Sequence, residues 1–281
     1  MMGPKLSYCA EALRRQDPDR YMTVLFAPAD RREALFALYG FNLELARVRE
    51  SVREPIMGQM RLQWWRDCLA EVQAGRPRAH EVVRPLADAI ARHRLSVALL
   101  ERMIDARERD MEAEPPADLS ALVGYAEGTS STVVELALEV LGQPTSAARE
   151  AGRALGVAWT LLGLIRAVPF HAARRRLYLP ATMMADARLD PGELFERGSS
   201  PALRQVARRL AAEAQAWLDR ARRPAREVHR RFQPALLPAS LARGHLSRLA
   251  AAGYDPFDAR VQQAPPGRIW SLALRRLIGG Y

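Results

Sequence analysis

The sequence predicts an all-α protein, a single-domain helical bundle, and three observations carry that expectation. Apolar residues recur every three to four positions through nearly every segment. Pro55, Gly75, Pro115-Pro116, Gly142 and Pro169 punctuate those segments as helix starts and stops do. No run alternates apolar and polar residues as a half-buried strand does, and no hairpin turn chemistry joins such runs.

The elements follow in order. Asp30 is placed to cap RREALFALYGFNLELARVRES, a helix with Leu35, Leu38, Phe41, Leu45 and Val48 on one stripe. Pro55 opens PIMGQMRLQWWRDCLAEVQAG, which closes at Gly75. Pro85 falls in the first turn of the next helix, and SVALLERMIDARERDME follows it, stopping before Pro115-Pro116. Asp118 opens LSALVGYAEGTSSTVVELALEVLG, ending at Gly142 and Pro144, and SAAREAGRALGVAWTLLGLIRAV then runs to Pro169. Long helices fit 201–231 and 236–252, and a last one fits 267–280 beyond the AGYDPFDARVQ loop. GSSP at 198–201 and the Pro265-Pro266-Gly267 break read as loops within one body, so residues 1–281 are expected to form one domain. No fixed-period repeat or low-complexity linker divides the chain.

With 281 residues, 49% of them hydrophobic, the chain can bury a large core, which excludes disorder as its dominant state. No apolar run approaches the roughly 20 residues needed to cross a bilayer. The start, MMGPKLSYCAEALRRQ, has no apolar signal core. Cys9 and Cys68 are the only cysteines, too few for a disulfide framework. A cytoplasmic protein is expected, at most peripheral to the inner membrane. The net charge of +10 is carried by arginine, because Lys5 is the only lysine. The bland account is codon bias in a GC-rich genome. The functional account is attraction to an anionic membrane surface, a diphosphate or an acidic protein. Nucleic acid is not expected as a partner, since zinc-finger spacing and aromatic RNA-binding motifs are missing from the sequence.

Three segments, LFALYGFNLELARVRE, YAEGTSSTVVELALEVLG and GVAWTLLGLIRAVPFHAARRRLYLP, resemble the squalene/phytoene synthase family. The resemblance runs from about residue 7 to 230, leaving C-terminal helices over 231–281. It implies an isoprenoid-synthase bundle with a central cavity. In that family two aspartate-rich helical motifs, with carboxylates at i and i+4 on one face, hold Mg²⁺ against a prenyl diphosphate. Here the first motif reads Ala46, Arg47, Val48, Arg49, Glu50, and Leu43 stands where the family has arginine. The second has Ala167 and His171 at its acid positions, with Pro169 between them. The resemblance therefore implies no catalytic set, no metal and no cofactor, with Mg²⁺ needed only if an altered enzyme survives.

Tyr125, Arg166, Arg176 and Tyr178 match retained family positions, and with Arg174 they are candidate anion or cavity residues. Alternatives stand beside each: Tyr125 as an ordinary helix tyrosine with a wet hydroxyl, and the arginines, Arg175 among them, as a solvated basic turn. His171, among arginines, is expected to be neutral. Trp64 and Trp65 point about 100° apart on a helix, so at most one faces the deepest core. Glu44 and Glu50 are free to pair with Arg47 or Arg53.

The substitutions themselves carry a narrower resemblance. Asn42-x-Glu44-Leu45-Ala46, Met60-Arg61-x-Gln63-Trp64-Trp65 and Arg166-Ala167-x-Pro169-Phe170-His171 resemble the branch of this family that assists assembly of respiratory complex I. That branch implies complex I subunits or assembly intermediates as partners, with an anionic membrane surface or a prenyl diphosphate as further candidates. The alternatives are a head-to-head prenyl transferase with an altered site, using farnesyl or geranylgeranyl diphosphate, and a prenyl-diphosphate or lipid binder without turnover.

Overall fold

Side-chain caps open many of the helices. Ser7, Ser96, Asp118, Thr145 and Ser200 each accept the backbone N–H three residues on, a bond whose loss typically costs ~1 kcal/mol. The computed structural model describes residues 6–263 and 267–278. Lys5, the Pro265-Pro266 break and residues 279–281 lie outside the described residues.

The N-terminal half comprises α1 (Tyr8–Gln16), α2 (Pro18–Val24), α3 (Ala29–Arg47), α4 (Pro55–Gln73), α5 (Val83–His93) and α6 (Val97–Ala106). After a 3-10 turn at Arg107–Met111 come α7 (Leu119–Ala126), α8 (Thr132–Leu141), α9 (Ser146–Arg166) and α10 (Val168–Ala172). The chain continues through α11 (Ala181–Asp186), α12 (Pro191–Arg197), α13 (Pro201–Ala225) and α14 (Gln233–Leu236). It closes with α15 (Pro238–Ala251), α16 (Ala259–Gln262) and α17 (Arg268–Ile278). No strand occurs among the described residues.

Helix α9 is the axis of the bundle and packs against α7, α8, α13 and α15. Val157, Ala158, Leu161 and Ile165 on it are fully buried, and each large apolar side chain so buried contributes roughly 1.5–3 kcal/mol. Helix α3 is a second interior element. Every residue from Ala34 to Asn42 is buried, so the expected stripe is one side of a helix apolar all round.

Several boundaries differ from expectation: the helix expected through Ser51 ends at Arg47, the one expected over SVALLERMIDARERDME passes at Ala106 into the 3-10 turn, and the one expected to run to Pro169 ends at Arg166. Asp30 does not cap α3. Pro28 holds the cap position without a side-chain bond, and Asp30 sits in the first turn, where its carboxylate still meets the positive helix end. The long helix expected over 119–141 is interrupted by a π-helical turn at Glu127–Ser131. That wide turn lies under α9, where a Cβ on Gly156 would fall 2.3 Å from Ser131 Cα, and the Ser131 hydroxyl donates to the Arg153 carbonyl at 2.8 Å. The helix expected to reach residue 231 stops at Ala225, just after Pro224, which has no N–H to continue the ladder. The helix expected from 236 begins at Pro238, after the separate short α14.

Candidate functional site

A cavity of about 400 Å³ opens where the end of α3, the turn after α6, α7 and the end of α9 converge with α10. Ala46, Glu50 and His171, three of the four positions singled out in the sequence as motif positions, line it together with Tyr125, Arg174, Arg176 and Tyr178. Pro169 shapes this wall: α9 ends at Arg166 and the chain restarts as α10, turning Phe170 and His171 toward the opening.

The centre of the cavity is Asp110, 2% exposed, on the 3-10 turn. Gly58 lets α4 close on that turn, since a Cβ there would lie 2.2 Å from Met111 Sδ. Tyr125 and Tyr178 each donate a hydroxyl to Asp110 Oδ1 at 2.9 Å. Arg107 donates to Oδ2 at 3.2 Å and to the Tyr125 hydroxyl oxygen at 2.8 Å. Arg176 donates to the backbone carbonyls of Asp110 and Glu112. The Tyr125 hydroxyl is thus bound within the protein rather than wet.

Burial pushes the Tyr125 and Tyr178 phenols well up, and the neighbouring Asp110 adds to the effect. Both rings are therefore neutral donors. Burial works against the charge of Arg107, but Tyr125 and Asp110 outweigh it and the guanidinium is held charged. His171 is pushed down to about 4, chiefly by burial and further by Arg176 and Arg174, against the pull of Asp110. It is a neutral ring packed 4.6 Å from Tyr178.

The walls carry Arg49, Arg107, Arg174 and Arg176 against Glu50 and Asp110. Mg²⁺ requires oxygen ligands free to coordinate. Asp110 already accepts three side-chain donors, Glu50 stands alone, and no group of three His, Cys, Asp or Glu side chains at metal spacing occurs among the described residues. The residues present do not fit a magnesium cluster. They do suit an anion, which guanidinium groups can grip directly.

Arg166 lies elsewhere. At about 100° per residue, Leu164 and Arg166 leave α9 on opposite sides. Leu164 faces the first cavity, while Arg166 lines a second, with Asp19, Trp159, Gly163, His245 and Arg268. The basic cluster divides too: Arg176 is tied into the fold, whereas Arg174 and Arg175 are exposed, stacked on Phe170 and Phe195. Trp65 is buried and Trp64 half-buried, in a groove with Met57 and Met60. Glu44 lines that groove, and neither it nor Glu50 forms an ion pair with Arg47 or Arg53 among the described residues. Cys9 and Cys68 are free and buried, and burial pushes both thiols up, to about 12 and about 11.

Arg107 and Asp110 are the functional residues that reading the sequence misses. Their only local sign is an i, i+3 charge pair inside RERDM, which reads as the polar end of a helix.

An all-helical bundle with its polar cavity walled by the two motif segments defines the class. The squalene/phytoene synthase family model matches residues 13–269, and the chain belongs to that family. Within it, the chain is 31% identical over 256 residues to the human NADH dehydrogenase (ubiquinone) complex I assembly factor 6, covering 91% of this chain and 77% of the relative. Phytoene synthase 1 of Arabidopsis thaliana is 24% identical over 281 residues, covering 98% of this chain and 66% of the relative. Among solved structures, a dehydrosqualene synthase superposes with a TM-score of 0.83 at 18% identity, covering 96% of this chain and 94% of that one. A squalene synthase from Alicyclobacillus acidocaldarius superposes with a TM-score of 0.75 at 20% identity, covering 89% and 94%. These two likenesses establish the fold.

Proposed function

We propose that this protein assists the assembly of respiratory complex I and does not ionise prenyl diphosphates. One observation carries the reading. At the place where the family's motifs converge, the buried carboxylate Asp110 is held by Tyr125, Tyr178 and Arg107, and four arginines face two acids. Such a site leaves one uncommitted acid, Glu50, too few to organise the metal that would draw off a diphosphate. Likeness to complex I assembly factor 6 over 91% of the chain supports the assembly role. The partners are then complex I subunits or intermediates. The exposed Arg174 and Arg175 suit a position against the anionic inner face of the membrane, and no helix among the described residues is long and apolar enough to cross it.

A second reading is favoured by the arginine excess itself: the first cavity binds a prenyl diphosphate without turning it over. The two readings share a test. Purified protein incubated with farnesyl or geranylgeranyl diphosphate and Mg²⁺ or Mn²⁺ should release no pyrophosphate above a denatured control, and metal-dependent release would overturn both. Deleting the gene should lower assembled complex I activity while carotenoid, squalene and hopanoid pools stay level. Normal complex I with a lost isoprenoid would return the protein to the enzymes.

A further inference from the structure

We propose that the second cavity, enclosed by α2, α9, α15 and the start of α17, binds a singly charged organic carboxylate with a small apolar body, gripped by Arg166. The cavity measures about 330 Å³, the size of a small-molecule site. It is assembled from residues distant in the chain, including Asp19, Arg166, His245 and Arg268.

Its charges select the ligand. Asp19, 7% exposed, accepts from His245 Nε2 at 2.9 Å on one oxygen and from Arg268 at 2.5 Å on the other. Asp17 accepts the Arg20 backbone N–H at 3.1 Å and its guanidinium at 2.9 Å. Both carboxylates are therefore engaged. Burial holds the His245 ring below its ordinary value despite the bond to Asp19, so it adds no charge at neutral pH. Arg20, Arg166 and Arg268 then stand against Asp17 and Asp19, and the surplus positive charge falls on Arg166. Its guanidinium makes no hydrogen bond or ion pair among the described residues: the Nε is sealed within the protein without a partner, the terminal nitrogens are left for the cavity that Arg166 lines, and burial pushes the pKa down. A buried donor left unpaired is costly, and a planar carboxylate matches the guanidinium fork.

The apolar body has its own place. Trp159 and Leu162 form one wall, and Gly163 beside them leaves space where a side chain would stand, with no atom within 4 Å of an added Cβ. A ligand of higher charge would press against Asp17 and Asp19, which argues for one negative charge rather than a diphosphate.

The probe is benzoate, titrated calorimetrically into the full chain against inorganic phosphate and inorganic pyrophosphate. Benzoate should bind saturably, and equal pyrophosphate should not displace it. Arg166→Gln should weaken binding at least tenfold. Because that change could disturb the fold, Gly163→Leu is the companion. It fills the cavity from an open position and should abolish binding while the circular dichroism stays native and the melting temperature does not fall. No saturable binding, binding unchanged in both variants, or Arg166-dependent binding in which pyrophosphate outcompetes benzoate would each overturn the proposal. The outcome is separate from the pyrophosphate-release assay, which reads the cavity on the other side of α9.

Discussion

The two polar cavities flanking the last turns of α9 draw on the same residue types, arginine, aspartate and an aromatic ring, and reach opposite electrostatic ends. In the first, Asp110 gathers Tyr125, Tyr178 and Arg107 into a closed network. In the second, Asp19 and Asp17 each already accept two donors from other groups, and Arg166 is left over. The lesson concerns availability rather than composition. A buried carboxylate can serve a metal only if its lone pairs are not already taken, and a buried arginine can serve a ligand only if its donors are free.

The largest expected effect tests the closed network. Asp110→Ala would strand the buried Arg107 guanidinium and two phenols, and loss of one partner of a buried pair typically costs about 3–5 kcal/mol. Denaturant unfolding of Asp110→Ala and of Arg107→Gln should both show the loss, and a double variant should lose less than their sum. A wild-type midpoint in Asp110→Ala would mean that the network stores no stability.

A pH series sharpens the same side. His171 has a folded value of about 4, below its ordinary 6.5, so the ring is neutral in both states above pH 6.5. As pH falls from there toward 4, the unfolded chain takes up the proton first, and stability should drop by at most about 3 kcal/mol. In His171→Gln that part of the slope should vanish, while His93 and His245, which burial also holds below their ordinary value, remain in both proteins and cancel. Superimposable pH curves would place the ring in a wetter setting than its packing against Tyr178 implies.

Two glycines on α9 give a smaller and oppositely signed pair. Gly156 faces the π-helical turn, with Ser131 Cα and N 2.3 and 2.4 Å from an added Cβ, so Gly156→Ala should destabilise by about 1–3 kcal/mol. Gly163 faces the second cavity with open space, and Gly163→Ala should stabilise by about 0.5–1 kcal/mol through helix propensity. Melting curves of the two variants should move in opposite directions. The smallest effect belongs to Arg166→Gln. With its Nε unpartnered, removing the charge should change stability by less than about 1 kcal/mol, in contrast to Arg107→Gln. Equal losses in the two arginine variants would erase the distinction between the cavities.

Much of the frame is legible residue by residue. Pro55, Gly75, Asp118 and Gly142 mark helix boundaries that the structure realises, because capping and backbone chemistry act within three or four residues. Ala46, Glu50 and His171, singled out in the sequence, line one cavity with Tyr125 and Tyr178. Arg166 is the instructive exception. It is two residues beyond Leu164, and at helical pitch that difference is enough to move it to another site.

By itself, then, the sequence determined the helical class, many of the helix boundaries, and the presence of Ala46, Ala167 and His171 where the family resemblance expects acids, since these are written in periodicity and in side-chain identity at single positions. Only the tertiary structure decided what fills the polar centre of the first cavity. Asp110 reaches Tyr178 across 68 residues and Asp19 reaches Arg268 across 249. Nothing local in either segment marks its partner. Such bonds form only where packed helices exclude the water that would otherwise satisfy each group separately.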